Sequence, residues 1–318
     1  MNAVIQPVES VTQRVPTSAQ TNSSATAASS KGRLLIDQVS IHLGQGADRF
    51  LALDNVSLDI APGEFVCLLG PSGCGKSTLL GALAGHLKPS GGRLSLDGDA
   101  VDAPSPERGL VFQHHTLFPW LTALDNVAYG LKMQGVPKAE RRARAQALLQ
   151  QVGLGGFENR YPRQLSGGMQ QRVEIARVLI NQPRVLLMDE PFGALDALTR
   201  LKMQELLLDL WTRLKTTVVF VTHDIDEALF LADRILVMSP RPGRFIDELP
   251  VPADRPRQPE VLTTPEFGRL KRHCLDLLRH PDTTLPLTRL TPLGLDPVGP
   301  ADPPDPGDKR ASQVRFAV

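Results

Sequence analysis

Nine consecutive residues limit the fold of this chain more than any others: Gly70, Pro71, Ser72, Gly73, Cys74, Gly75, Lys76, Ser77 and Thr78. They fit G-x-x-x-x-G-K-[ST], the pattern of a phosphate-binding loop. Such a loop needs a strand before it and a helix after it, and both are legible. Glu64–Leu69 is a short apolar run of strand type, and Ser77–Ala84 is built from good helix formers. The glycines allow successive backbone N–H groups to turn inward and cradle phosphates at a helix N-terminus, where the dipole favours anions. Lys76 brings a point charge to the terminal phosphates, and the Ser77 hydroxyl is placed to hold Mg²⁺. The loop therefore implies an α/β core and a nucleoside triphosphate. It leaves open what the energy drives.

The whole chain narrows the classes of function. Its 318 residues suffice for one large domain or two small ones. Basic and acidic residues number 35 and 34, net +1, so the chain carries no electrostatic footprint for nucleic acid. Cys67, Cys74 and Cys274 share no metal-ligand spacing and read as reduced cytosolic thiols. No apolar run approaches the roughly 20 residues needed to span a bilayer, so any membrane role would come through a partner.

Residues 1–32 are rich in Ser, Thr, Ala, Gln and Val and lack aromatic residues, which predicts a disordered tail without a secretory signal. Two alternating strands are expected over Arg33–Ile41 and Ala52–Ile60, with a polar turn at Gly44–Asp48 between them. After the loop helix, Gly91-Gly92 reads as a turn into a strand at Leu94–Gly98, and Arg108–Gln113 as a further strand. From about 121 to 165, within a segment bounded at about 115–168, the periodicity turns helical, with Leu121, Leu124, Val127, Ala128 and Leu131 on one stripe and a second helix over Ala139–Val152. That segment predicts a helical subdomain inserted in the α/β core. The Arg141-Arg142-Ala-Arg144 run reads as a solvated helix face. Met169–Ile180 is a strong helix, Val185–Glu190 a buried parallel-type strand ending in two acids, and Thr217–Thr222 a strand running into His223. A helix over Leu198–Leu214, a shorter one over Asp226–Leu231, strands at Arg234–Met238 and Phe245–Leu249, and a helix over Glu266–Leu278 complete the ordered part. From 281 to 318 the Pro-, Asp- and Gly-rich composition predicts a second disordered tail.

The acids at the strand end have a spacing that chemistry can use. Neighbouring strand residues point to opposite faces, so Asp189 can reach a Mg²⁺ shell while Glu190 faces an attacking water as general base. Gln113 closes another strand and can coordinate Mg²⁺ or that water. His223, at the end of a third, is placed to hydrogen-bond the γ-phosphate.

At this point the chain resembles the ATP-binding-cassette ATPases over residues 33–280. The resemblance rests on Gly70–Thr78, Gln113, Leu165-Ser166-Gly167-Gly168, Val185–Glu190, Ala194-Leu195-Asp196 and His223, in the family's order. It implies a phosphate-loop NTPase core with an N-terminal antiparallel β-subdomain and an inserted α-helical subdomain, and ATP with Mg²⁺ as cofactors. It also implies that Ser166, Gly167, Gly168 and Asp196 serve the nucleotide of an opposite subunit in a head-to-tail homodimer. Two departures stand out. Position 169 is Met where the family usually has Gln, and the aromatic residue that stacks on adenine falls by register on Leu43; Phe50, beyond the polar turn, is the candidate for that role.

Phe118-Pro-Trp120-Leu, Asp189–Arg200, His223–Ala232 and Ser239-Pro-Arg-Pro-Gly243-Arg further resemble bacterial importer subunits of the nitrate, sulfonate and taurine group. Gly-Val-Pro-Lys and Leu-Leu-Leu-Asp-Leu-Trp211 lean towards taurine, with aliphatic sulfonate and nitrate as alternatives. The resemblance implies two transmembrane permease subunits and a periplasmic binding protein as partners, at the cytoplasmic face of a bacterial inner membrane. Rival classes fit less well. Only about 50 residues separate Gln113 from Leu165, too few for the coiled coil of a repair ATPase, and one phosphate loop argues against a translation-type protein. Trp120, in a Phe-Pro-Trp cluster, is expected either to contact the membrane partner or to pack in the core.

Overall fold

The computed structural model describes residues 31–114, 116–252, 255 and 257–280. Apart from residues 31 and 32, the two expected tails lie outside them. In chain order the strands are β1 (Leu34–Leu43), β2 (Phe50–Ile60), β3 (Phe65–Leu69), β4 (Gly91–Leu96), β5 (Asp99–Ala100), β6 (Arg108–Val111), β7 (Val185–Asp189), β8 (Thr217–Thr222), β9 (Arg234–Met238) and β10 (Phe245–Pro250). The helices are α1 (Lys76–Leu83), α2 (Ala123–Val127), α3 (Tyr129–Met133), α4 (Lys138–Gln151), α5 (Gly167–Leu179), α6 (Ala197–Leu214), α7 (Ile225–Leu231) and α8 (Pro265–Arg279).

The strands form two sheets. A four-stranded antiparallel sheet has the order β2-β1-β4-β5, and a six-stranded sheet has the order β10-β9-β3-β8-β7-β6. In the larger sheet β9, β3, β8, β7 and β6 run parallel and β10 closes the edge antiparallel to β9. The near-continuous apolar runs of its central strands follow from burial on both faces. Phe65, Cys67 and Leu69 of β3 pack with α5, α6, α7 and α8, whereas Val66 and Leu68 pack with α1 and the small sheet. Val218 and Phe220 against Val219 and Val221 on β8 repeat that division, as do Ile235 and Val237 against Leu236 and Met238 on β9. The period-2 alternation of each strand thus divides the interior into two cores.

One boundary differs from the sequence reading. Gly91 and Gly92 lie inside β4 rather than in a turn before it, because Gly91 pairs with Ser40 of β1 across a bulge. The segment between β6 and α5 is helical, as its periodicity predicted. Its arginines serve mainly itself: Arg142 pairs with Asp125 at 2.6 Å and Arg144 with Glu140 at 2.5 Å. Cys67, Cys74 and Cys274 are free thiols and buried.

Candidate functional site

The phosphate loop connects β3 to α1, at the C-terminal ends of the parallel strands, where open α/β sheets bind ligands. Gly75 caps α1 in the left-handed region at φ 105°. A Cβ there would lie 2.7 Å from Leu53 Cδ2 and 3.1 Å from the Ala52 carbonyl oxygen, so only glycine fits. No side chain caps α1, which leaves the first-turn N–H groups to a ligand. Lys76 is only 5% exposed, and its ammonium donates to the carbonyls of Gly70 at 2.9 Å and Pro71 at 3.0 Å. Among the described residues it has no carboxylate within ion-pair distance. A buried cation held by two carbonyls and the Cys74 sulfur at 4.0 Å, with no carboxylate, fits an incoming polyphosphate.

Ser77 Oγ donates to Asp189 Oδ1 at 3.1 Å, so a hydroxyl from the first turn of α1 and a carboxylate from the end of β7 converge. Burial pushes the Asp189 carboxyl above the usual carboxylate range and the Glu190 charge adds to this; the Ser77 hydrogen bond and Lys76 oppose it. A hard oxygen pair with an undercompensated buried charge suits a divalent cation. Among the described residues no group of three or more His, Cys, Asp or Glu is arranged to hold a metal ion by itself. Two protein oxygens completed by phosphates and water is the usual way Mg²⁺ is held beside nucleotides.

Glu190 is set apart from Asp189 by more than strand alternation. β7 ends at Asp189, and Glu190 takes a left-handed backbone, φ 41°, with its N–H donating to the Val221 carbonyl at 3.0 Å. Such a backbone is uncommon outside glycine and clusters at functional sites. His223 Nδ1 lies 3.0 Å from Glu190 Oε2, and Gln113 Nε2 donates to the same oxygen at 3.4 Å. His223 is presented by the turn after β8, where Asp224 caps α7 by accepting from the N–H groups of Asp226 and Glu227. The ends of β6, β7 and β8 therefore bring Gln113, Glu190 and His223 to one carboxylate.

The signature residues form a second patch. Ser166 caps α5 by accepting from Met169 N–H at 3.3 Å, and Gly167 and Gly168 open the helix. A Cβ on Gly168 would meet Thr199 Cγ2 at 2.7 Å, and Thr199 N–H donates to Asp196 at 3.0 Å, where Asp196 caps α6. Ser166, Gly168 and Asp196 thus share one surface. Phe50 is half-exposed and faces Leu43 across the β1–β2 hairpin, so both positions considered for adenine stacking sit together.

The sequence left Trp120 between contact and core, and it is 71% exposed. Its loop is nonetheless built. Asn126, fully buried, accepts from Phe118 N–H and donates to the Phe118, Leu121 and Thr122 carbonyls, and Phe118 packs on Tyr129 at 4.6 Å. Beneath it the buried Glu174 accepts from the Thr116 hydroxyl and N–H, and Arg177 donates to the Thr116 carbonyl. Sequence reasoning missed Asn126 and Glu174. The signal available was a polar residue inside an apolar helical stripe.

A glycine loop between strand and helix, a buried lysine and an acid pair at strand ends define a phosphate-loop NTPase. A family model described as ABC transporter matches residues 53–193. The chain is 50% identical over 231 residues to a putative ATP-binding protein of Brucella abortus, covering 73% of this chain and 89% of that protein. It is 50% identical over 249 residues to a taurine import ATP-binding protein of Pseudomonas aeruginosa, covering 77% and 95%. A solved structure of a dimeric ATP-binding cassette bound to ADP and Pi superposes with a TM-score of 0.62 at 37% identity, covering 70% of this chain and all of that one. The chain belongs to the ABC transporter family, as an ATP-binding-cassette ATPase whose hydrolysis of ATP is coupled to transport. Among the described residues no helix is long and apolar enough to cross a membrane.

Proposed function

We propose that this chain is the ATPase subunit of a bacterial taurine importer, acting as a homodimer on two permease subunits at the cytoplasmic face of the inner membrane. A periplasmic binding protein delivers the substrate. Hydrolysis starts from Glu190, which takes the proton of the attacking water, while Gln113 and His223 hold its carboxylate and the γ-phosphate side of the site in place. The observation that carries this reading is the convergence of Gln113 and His223 on Glu190 Oε2. Mg²⁺, held by Ser77 and Asp189, would neutralise charge on the β- and γ-phosphates. Lys76 and the backbone N–H groups of Gly70 and Ser72–Thr78 bind the phosphate chain, and Phe50 offers its ring to the base.

Ser166, Gly167, Gly168 and Asp196 complete the partner's site. Because these contacts exist only in the closed pair, ATP favours closure and hydrolysis releases it. The Trp120 loop receives the permease. Taurine is favoured by the sequence features of the importer group and by the taurine import ATP-binding proteins that are 49–50% identical over three quarters of this chain. Deletion of the gene in its parent bacterium tests the substrate. Growth on taurine as sole sulfur source should be lost and restored by the intact gene. Unchanged growth on taurine, with loss on another sulfonate or on nitrate, would reassign the cargo.

A further inference from the structure

The turn Ser239–Arg244 between β9 and β10 lies about 170 residues from the phosphate loop in sequence and touches it in space. Gly243 N–H donates to the Ala52 carbonyl at 2.9 Å, and its own carbonyl accepts from Asp54 N–H at 3.1 Å, a single bridge to β2. A Cβ at Gly243 would stand 2.1 Å from the Cys74 carbonyl oxygen, so the turn backbone meets the loop backbone at a distance that glycine alone allows. Arg244 forms an ion pair with Asp54, and Ser239 Oγ accepts from Arg244 N–H at 3.0 Å. These bonds leave the tip of the turn one position.

That tip is Arg241, which is exposed. Its guanidinium carbon lies 4.3 Å from the Phe50 ring centroid, and Nη2 lies 3.5 Å from the Gly73 carbonyl oxygen. Among the described residues it has no carboxylate partner, whereas the neighbouring Arg244 has Asp54. One long contact to a carbonyl leaves most of the five guanidinium donors unspent. The ring beneath fixes the plane of the group. A held, unneutralised cation at the rim of an anion cradle is matched to a polyanion.

We propose that Arg241 is a nucleotide-binding residue. Its guanidinium donates to the phosphate chain of ATP seated in the Gly70–Thr78 loop, and Phe50 is the platform that aims it. The inference rests on the ATP site proposed above, and it gives Phe50 a second task besides stacking on the base.

The test is titration of the full-length chain, with Mg²⁺ present, against ATP and against inorganic tripolyphosphate, which has no base. Arg241→Gln should weaken both about tenfold, and Arg241→Lys should recover part of the loss because the charge remains. A substitution at this exposed tip leaves both cores intact, and a melting curve of each variant checks that. Equal ATP affinity in wild type and Arg241→Gln would overturn the proposal. So would weakened ATP with unchanged tripolyphosphate, because the arginine would then act only through the Phe50 ring. Failure of the wild type to bind ATP at all would instead sink the underlying site.

Discussion

The C-terminal end of the parallel sheet and the helical segment inserted before α5 handle their polar groups in opposite ways. At the sheet end the groups bind one another: Ser77 to Asp189, Gln113 and His223 to Glu190. In the insert the buried Asn126 is bonded into the Trp120 loop, which Glu174 of α5 supports from below, yet the surface residues are turned outward. Among the described residues the Ser166 side chain bonds only within its own helix turn, and Trp120 exposes most of a large ring. A single exposed apolar residue is ordinary on a protein surface. A tryptophan held out on a loop that a buried asparagine fixes through four hydrogen bonds is a built feature. On the proposed reading, the sheet end is where ATP reacts and the insert is where partners bind.

Three experiments test that division, in decreasing order of effect. Lys76→Ala removes the buried ammonium from the sheet end and should weaken ATP binding by about a hundredfold or more, read by fluorescence titration. Unchanged affinity would show that the loop does not hold the phosphates. Trp120→Ala probes the insert. The isolated variant should melt close to wild type and keep basal ATPase, while stimulated hydrolysis in the assembled transporter should fall, since interface aromatics are often worth about 2 kcal/mol or more. A loss of about 3–5 kcal/mol in the isolated subunit is the signature of a core tryptophan and would contradict the outward role.

Asp189→Asn is the subtlest. Burial raises the Asp189 carboxyl, so the folded chain binds that proton more tightly than the unfolded chain. Its contribution to stability is therefore full at pH below the ordinary carboxylate range and is lost as pH rises through the raised value. The asparagine keeps an acceptor for Ser77 without the charge. Nucleotide-free Asp189→Asn should melt above wild type at neutral pH, with the gap closing in acid. A lower melting temperature at neutral pH would mean the carboxylate is better compensated than its surroundings indicate.

Much of this was legible in the sequence because it is local. The phosphate loop, the two-sided strands and the helical stripe around Leu124 and Val127 each repeat a pattern within a few residues. The left-handed turn at Glu190 was not legible, since a strand-end acid reads the same whether or not the chain bends there. Packing of Gly243 on Cys74 escaped too, because nothing within the Ser239–Arg244 turn encodes a partner so far away in sequence. Asn126 and Glu174 were hidden among apolar neighbours, where periodicity weighs the stripe and not the exception. Trp120 was ambiguous for a physical reason: an aromatic beside proline suits a core and an interface equally well, and only the fold decides.

The central claim is that the reacting sheet end of one copy is completed by the signature patch of another. Size-exclusion chromatography with light scattering on Glu190→Gln, with ATP and Mg²⁺, tests it directly. The variant should bind ATP, turn over about 10²–10⁴-fold more slowly, and accumulate as an ATP-bound dimer that wild type holds only transiently. A Glu190→Gln chain that stays monomeric with ATP bound, or that hydrolyses ATP at the wild-type rate, would contradict the account.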